Sequence, residues 1–288
     1  MNTRESPLIS VSELRDLIAD GSVLVFDCRF DLFHPDRGHN SWLAAHIPGA
    51  VYAHLDDQLA GRVTRSSGRH PLPATRSFAA FLARSGWTKD KTVVAYDGHG
   101  GVFAARLWWL MEYFGLPGAR ILDGGIAAWM AASLPLESGE VGTARVDTPQ
   151  LTPRPAMIAS SNEIAARLED DDLVLVDARA ARRFEGLEEP IDPVAGHVPG
   201  ALNHPTDKNL DEQSRFRSPG ELKQQFQKLV GKQPSTDIVH MCGSGVTACH
   251  NLLAMELAGI TGSRIYAGSW SEWIRNPSRP VVRGARSG

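Results

Sequence analysis

Apolar residues along this chain follow two periods in alternation, and the whole pattern is written twice. In the first half, the run at 23–27 reads as a buried strand, as do 92–96 and 120–122. Between them, residues 12–20, Phe78–Ser85 and 102–115 carry apolar positions at helical spacing. Ser10-Val11-Ser12-Glu13 has the form of a capping box ahead of the first helix. The second half gives helix 161–169, strand 173–177, helix 219–229, strand 237–241, helix 247–258 and strand 264–266. Strands that alternate with helices predict an α/β fold, here two tandem domains. Each is expected to be a mainly parallel sheet with helices on both faces.

The duplication is visible in the residues themselves. Asp27-Cys28-Arg29 recurs as Asp177-Ala178-Arg179, and Ala45-His46-Ile47-Pro48-Gly49-Ala50 recurs as Gly196-His197-Val198-Pro199-Gly200-Ala201. Asp97-Gly98 recurs as Cys242-Gly243, and Asp123-Gly124-Gly125 with Trp129 recurs as Ala267-Gly268-Ser269 with Trp273. Such self-similarity in constant order is the mark of a repeated unit. Domains are expected at 8–135 and 157–282, joined by a Pro-, Thr- and Gly-rich linker over 136–156, with fraying over 283–288.

Composition narrows the function classes. The 288 residues carry a formal net charge of −3, which offers no basic surface for nucleic acid. No apolar run approaches the ~20 residues of a membrane span, and residues 1–7 contain no signal-peptide core. Three cysteines (Cys28, Cys242 and Cys249) are too few and too oddly numbered for a disulfide framework, and they suit a reducing compartment. No Cys-x-x-Cys or His-Glu-x-x-His spacing occurs, so neither a metal nor another cofactor is expected. A cytoplasmic enzyme is the expectation.

The candidate chemistry lies in Cys242-Gly243-Ser244-Gly245-Val246-Thr247, at the carboxyl end of a strand and the start of a helix. Ligands bind at such ends in open α/β sheets. Gly243 and Gly245 allow positive φ, so successive N–H groups can turn toward an anion on Cys242, be it a thiolate or a persulfide. Ser244 and Thr247 add hydroxyls. Gly243-x-Gly245-x-x-Ala248 also fits a dinucleotide fingerprint, but the next strand, near Arg264-Ile265-Tyr266-Ala267, ends without the acidic residue that motif requires. A hydrolase elbow around Ser244 fails because Cys242 and Val246 occupy its glycine positions. Cys28 and Cys249 read as core. His46 and His197, in Pro-Gly turns, read as structural.

With these motifs in order, the chain resembles the rhodanese family of sulfurtransferases from about Leu8 to Pro280. The resemblance implies tandem rhodanese-like domains, an inactive first copy and a catalytic second one. Asp97 indeed stands where the second copy has Cys242. It further implies that Cys242 carries sulfur as a persulfide, with Gly243, Gly245, Val246 and Thr247 forming the substrate loop. Ser244 would assist proton transfer, partnered by His70 and Asp57 from the first half. Arg183, rather than its neighbour Arg182, matches the arginine that clamps a substrate carboxylate through paired hydrogen bonds.

Loops of this kind without Arg or Lys after the cysteine look like the class that uses 3-mercaptopyruvate, a monoanion. That class carries a second arginine shortly after the first, where this chain has Glu188-Glu189-Pro190-Ile191-Asp192-Pro193. Three readings therefore stand: sulfur transfer from 3-mercaptopyruvate, the same from thiosulfate, or a persulfide carrier without fast turnover. The acceptor would be cyanide, a small thiol or a thioredoxin-like dithiol, with no nucleic acid or membrane partner. Phosphatases of related fold need an arginine six residues after the cysteine, where this chain has Ala248.

Overall fold

The capping box at Ser10 forms. Ser10 Oγ accepts from the Glu13 N–H at 3.3 Å, and Glu13 Oε2 accepts from the Ser10 N–H at 3.0 Å. The Ser10 hydroxyl also donates to Glu13 Oε2 at 2.6 Å, and this bond first, then that from the Ser10 N–H, holds the Glu13 carboxyl at a pKa of about 2. The computed structural model describes residues 5–170 and 172–285. Residues 286–288 of the tail expected to fray, and residues 1–4 of the N-terminal segment, lie outside the described residues.

The chain divides into two units. The first takes its described residues from Met1–Gly61, Leu72–Arg154 and Glu212–Phe216, and the second from Arg62–Pro71, Pro155–Asp211 and Arg217–Gly288. A ten-residue segment of the first half thus packs in the second unit. Conversely, a five-residue piece of the second half packs in the first, where the Phe216 N–H reaches Asp123 Oδ1 at 3.0 Å.

In the first unit, β1 (Leu8–Ile9), β2 (Val23–Asp27), β3 (Val51–Tyr52), β4 (Thr92–Tyr96) and β5 (Arg120–Leu122) form a parallel sheet in the order β1-β5-β4-β2-β3. Its helices are α1 (Val11–Ala19), α2 (Asp36–Ala44), α3 (Thr75–Arg84), α4 (Ala104–Tyr113) and α5 (Gly125–Ala131). In the second, β6 (Val174–Asp177), β7 (Leu202–Asn203), β8 (Ile238–Met241) and β9 (Arg264–Ile265) form a parallel sheet in the order β7-β6-β8-β9. Its helices are α6 (Ser161–Ala166), α7 (Ala181–Phe184), α8 (Pro219–Val230), α9 (Ala248–Leu257) and α10 (Ser269–Trp273). A single bridge, Ile158 to Ile265, takes the place that β1 holds in the first sheet.

The central strands β4 and β8 are nearly continuous apolar runs because both sheet faces are covered. Trp129 packs in one core, and Trp270 and Trp273 in the other, all fully buried. The repeated Asp-x-Arg serves the same purpose in both units. Arg29 pairs with Asp27 and donates to the Ala45 carbonyl at 2.6 Å. Arg179 pairs with Asp177 and donates to the Gly196 carbonyl at 2.8 Å. Each guanidinium ties a strand end to the following Pro-Gly turn through paired bonds to the aspartate and one to the turn carbonyl, the partners that a charge away from water requires. His46 and His197 bond the Trp42 and Phe184 carbonyls through Nδ1. Among the described residues, no helix is long and apolar enough to cross a membrane.

Candidate active site

Strand β8 ends at Met241, and helix α9 starts at Ala248, one residue later than the apolar pattern suggested. The loop between them turns on Gly245, at φ +78°, where a Cβ would lie 2.3 Å from the Ala267 carbonyl oxygen. No other residue type fits there. That turn aims the Gly245 N–H at Cys242 Sγ, 3.1 Å away. Gly243, contrary to expectation, has no positive φ, and its small size matters instead. A Cβ on it would lie 3.1 Å from Arg69 Nη2 and 3.6 and 3.7 Å from the two Nη atoms of Arg183. The missing side chain leaves room for two guanidinium groups beside the cysteine.

Arg183 stands on α7, with Nη2 2.7 Å from Glu189 Oε1 and 3.2 Å from Asp192 Oδ2. Its neighbour Arg182 points outward and pairs with exposed Glu188. Arg69 belongs to the segment Arg62–Pro71, which packs in the second unit. Its Nη1 pairs with Asp192 Oδ1, and its N–H donates to Ser271 Oγ at 3.0 Å. Asp192 therefore sits between two arginines, while the loop N–H groups of Ile191 and Asp192 hold Glu189 Oε1. Two cations and two carboxylates make this wall neutral in formal charge.

The next residue of the same segment, His70, is buried with Nδ1 2.7 Å from Ser244 Oγ. A hydroxyl held by an imidazole can relay a proton. The loop thus gathers a buried thiol, an N–H aimed at it, a proton-sharing pair and two guanidiniums. Such a group can bind a small carboxylate or sulfur oxyanion and present its sulfur to a thiolate. Among the described residues, no group of three His, Cys, Asp or Glu side chains is placed to hold a metal ion.

Comparison with known proteins agrees with this geometry. The rhodanese-like domain family matches residues 10–132 and 160–276. The chain belongs to the rhodanese-like family. It is 44% identical over 279 residues to a Pseudomonas aeruginosa protein named "Probable 3-mercaptopyruvate sulfurtransferase", covering 96% of this chain and 98% of that one. It is 32% identical to the Arabidopsis thaliana "Thiosulfate/3-mercaptopyruvate sulfurtransferase 2" over 96% of this chain and 86% of that one. Among solved structures, 3-mercaptopyruvate sulfurtransferase from Leishmania major superposes with a TM-score of 0.82 at 29% identity, covering 94% of this chain and 75% of that one.

In the first rhodanese-like unit the equivalent loop is filled by its own carboxylate. Asp97 Oδ1 accepts from the His99 and Gly101 N–H groups at 2.7 and 3.0 Å, and Oδ2 from those of Phe103 and Ala104 at 2.7 and 2.9 Å. Cys28 lies buried in the same unit, its thiol pushed up by burial first and then by Asp97 and Asp27. Asp57 also belongs to this unit, its carboxylate exposed and 3.7 Å from His54 Nδ1. Cys249 is buried on α9 and donates to the Gly245 carbonyl at 3.4 Å.

Sequence reasoning missed Arg69. It looked for the second arginine a few residues after Arg183, and the structure supplies one beside His70 instead. The signal was present in the adjacency Arg69-His70.

Proposed function

We propose that this chain is a sulfurtransferase that takes sulfur from 3-mercaptopyruvate onto Cys242 and passes it to a thiol or to cyanide. The observation that carries the reading is the pair of arginines, Arg69 and Arg183, flanking Gly243 beside a thiol under the Gly245 N–H. One guanidinium clamps the donor carboxylate, and the second reaches its ketone oxygen. Cys242 thiolate attacks the donor sulfur, and the S–C bond breaks. Its electron pair moves to the ketone as pyruvate enolate, which takes up a proton relayed by Ser244 and His70. The sulfur stays on Cys242 as a persulfide, and its terminal anion rests under the Gly245 N–H.

In the second half-reaction an acceptor thiolate or cyanide bonds the outer sulfur, and Cys242 thiolate leaves. This is a ping-pong cycle. A free thiol and a persulfide need a reducing compartment, which favours the cytoplasm and a thioredoxin-like acceptor.

Thiosulfate as donor is the second reading, favoured by the presence of two guanidiniums where a dianion could be held. Glu189 and Asp192 weigh against it by neutralising them. Donor alone should add 32 Da, the mass of one sulfur atom, to the wild-type protein and nothing to Cys242→Ser. Steady-state transfer to cyanide should then give a kcat/KM for 3-mercaptopyruvate about tenfold or more above that for thiosulfate. No adduct with either donor refutes sulfur transfer, and a thiosulfate preference refutes the donor assignment.

A further inference from the structure

Ser269 is fully buried, opens α10, and holds φ at +51° in the left-handed region that favours glycine. Its Oγ accepts from the Cys242 N–H at 3.1 Å and donates to the Tyr266 carbonyl at 2.8 Å. The next two N–H groups continue the attachment, Trp270 to the Cys242 carbonyl at 3.0 Å and Ser271 to the Gly243 carbonyl at 2.9 Å. Both backbone polar groups of the cysteine therefore end on residues 269 and 270.

The first unit shows what this arrangement looks like without the hydroxyl. The repeat places Gly125 at the position of Ser269, with φ +57°, and the Ile126 N–H again bonds the loop carbonyl, that of Asp97, at 3.1 Å. A Cβ at Gly125 would lie 2.2 Å from that carbonyl oxygen, so no side chain fits. There the loop is anchored by the Asp97 carboxylate, which accepts four N–H groups. A cysteine in that place has no carboxylate to anchor it. The copy that carries Cys242 has a strained serine instead of a relaxed glycine, and its hydroxyl grips the cysteine's own N–H.

We propose that Ser269 is a positioning residue for the sulfur chemistry: its hydroxyl fixes the Cys242 peptide so that Sγ stays under the Gly245 N–H. The proposal rests on Cys242 being the sulfur-accepting nucleophile. Without the hydroxyl, the Cys242 N–H is left buried without its partner and the cysteine backbone is held by its carbonyl bonds alone, which loosens the thiol from its place under the Gly245 N–H.

Two variants separate positioning from mere structure. Ser269→Gly removes the hydroxyl and relieves the backbone, whereas Ser269→Ala removes it and keeps the strain. The readouts are the thermal midpoint, the rate of iodoacetamide alkylation of Cys242 at fixed pH, and kcat and KM for 3-mercaptopyruvate. Both variants should melt below the wild type, the alanine variant further below because it keeps the strain. Both should alkylate and turn over at least about tenfold more slowly, with KM within about twofold because Arg69 and Arg183 still hold the donor. A glycine variant that alkylates at the wild-type rate overturns the proposal, as do losses that follow the melting order. So does a glycine variant that fails to fold, since Ser269 is then structural. Should the wild type transfer sulfur from neither donor, the sulfur-transfer reading fails, while the alkylation comparison still decides the place of Ser269.

Discussion

His70 Nδ1 lies 2.7 Å from Ser244 Oγ, joining two buried residues 174 positions apart in the chain. If the pair moves one proton as a unit, each member is worth little without the other. Ser244→Ala and His70→Gln should each lower kcat by about 10- to 100-fold, and the double variant should be no slower than the worse single one. Losses that multiply in the double variant would show two independent roles.

Asp192 bonds both Arg69 and Arg183, and this makes it the simplest handle on donor choice. Asp192→Asn keeps the shape and adds one positive charge to the wall. A dianion gains more from that charge than a monoanion does. The ratio of kcat/KM for thiosulfate over 3-mercaptopyruvate should rise by about tenfold. An unchanged ratio would mean that charge balance does not set donor preference.

Asp97 is fully buried, and four N–H groups converge on it. Asp97→Ala leaves them without acceptors, and Asp97→Asn keeps one oxygen. Urea unfolding should show the alanine variant destabilised by about 3 kcal/mol or more, with asparagine in between. A loss below about 1 kcal/mol would mean that water replaces the carboxylate at little cost.

Stability should fall in mild acid because of His240. Burial, with the nearby His204 as a second cause, depresses its pKa from 6.5 to about 3. Between those values the unfolded chain binds a proton that the folded one refuses. The contribution is complete above pH 6.5 and shrinks as pH falls from there toward 3. Burial lowers His204 in the same direction. His240→Leu should flatten the dependence of the urea midpoint on pH between 7 and 5. An equally steep curve in the variant would place the acid sensitivity elsewhere.

Much of this architecture can be read from the sequence because its long elements carry strong periods. The strands at 23–27 and 92–96 and the helix at 219–230 fall within a residue of their apolar patterns. Helix α2 was not legible. Asp36-Arg37-Gly38-His39-Asn40-Ser41-Trp42-Leu43-Ala44 is polar, and only Gly38 and Trp42 of it are buried, so it forms through tertiary contact rather than pattern. Of the two-residue strands, β9 lies in the apolar run read at 264–266, whereas β1, β3 and β7 show no period of their own. At the site, Cys242, Gly245 and Arg183 stand out by motif, since each answers to a local turn or a neighbouring loop. Arg69 does not. Its place depends on where the segment 62–71 packs, a fact of tertiary structure whose one local trace is the adjacency to His70.

That segment has a consequence for how the duplication can change over time. A half that holds Asp97 where the other holds its cysteine would ordinarily be free to drift or to be deleted. Here the first half owns Arg69 and His70, which sit among the second unit's residues. Excising 157–282 as a free-standing module would remove both at once. The duplication is thus no longer separable at the midpoint of the chain, because the half that holds Asp97 in place of the cysteine lends residues to the loop that holds Cys242.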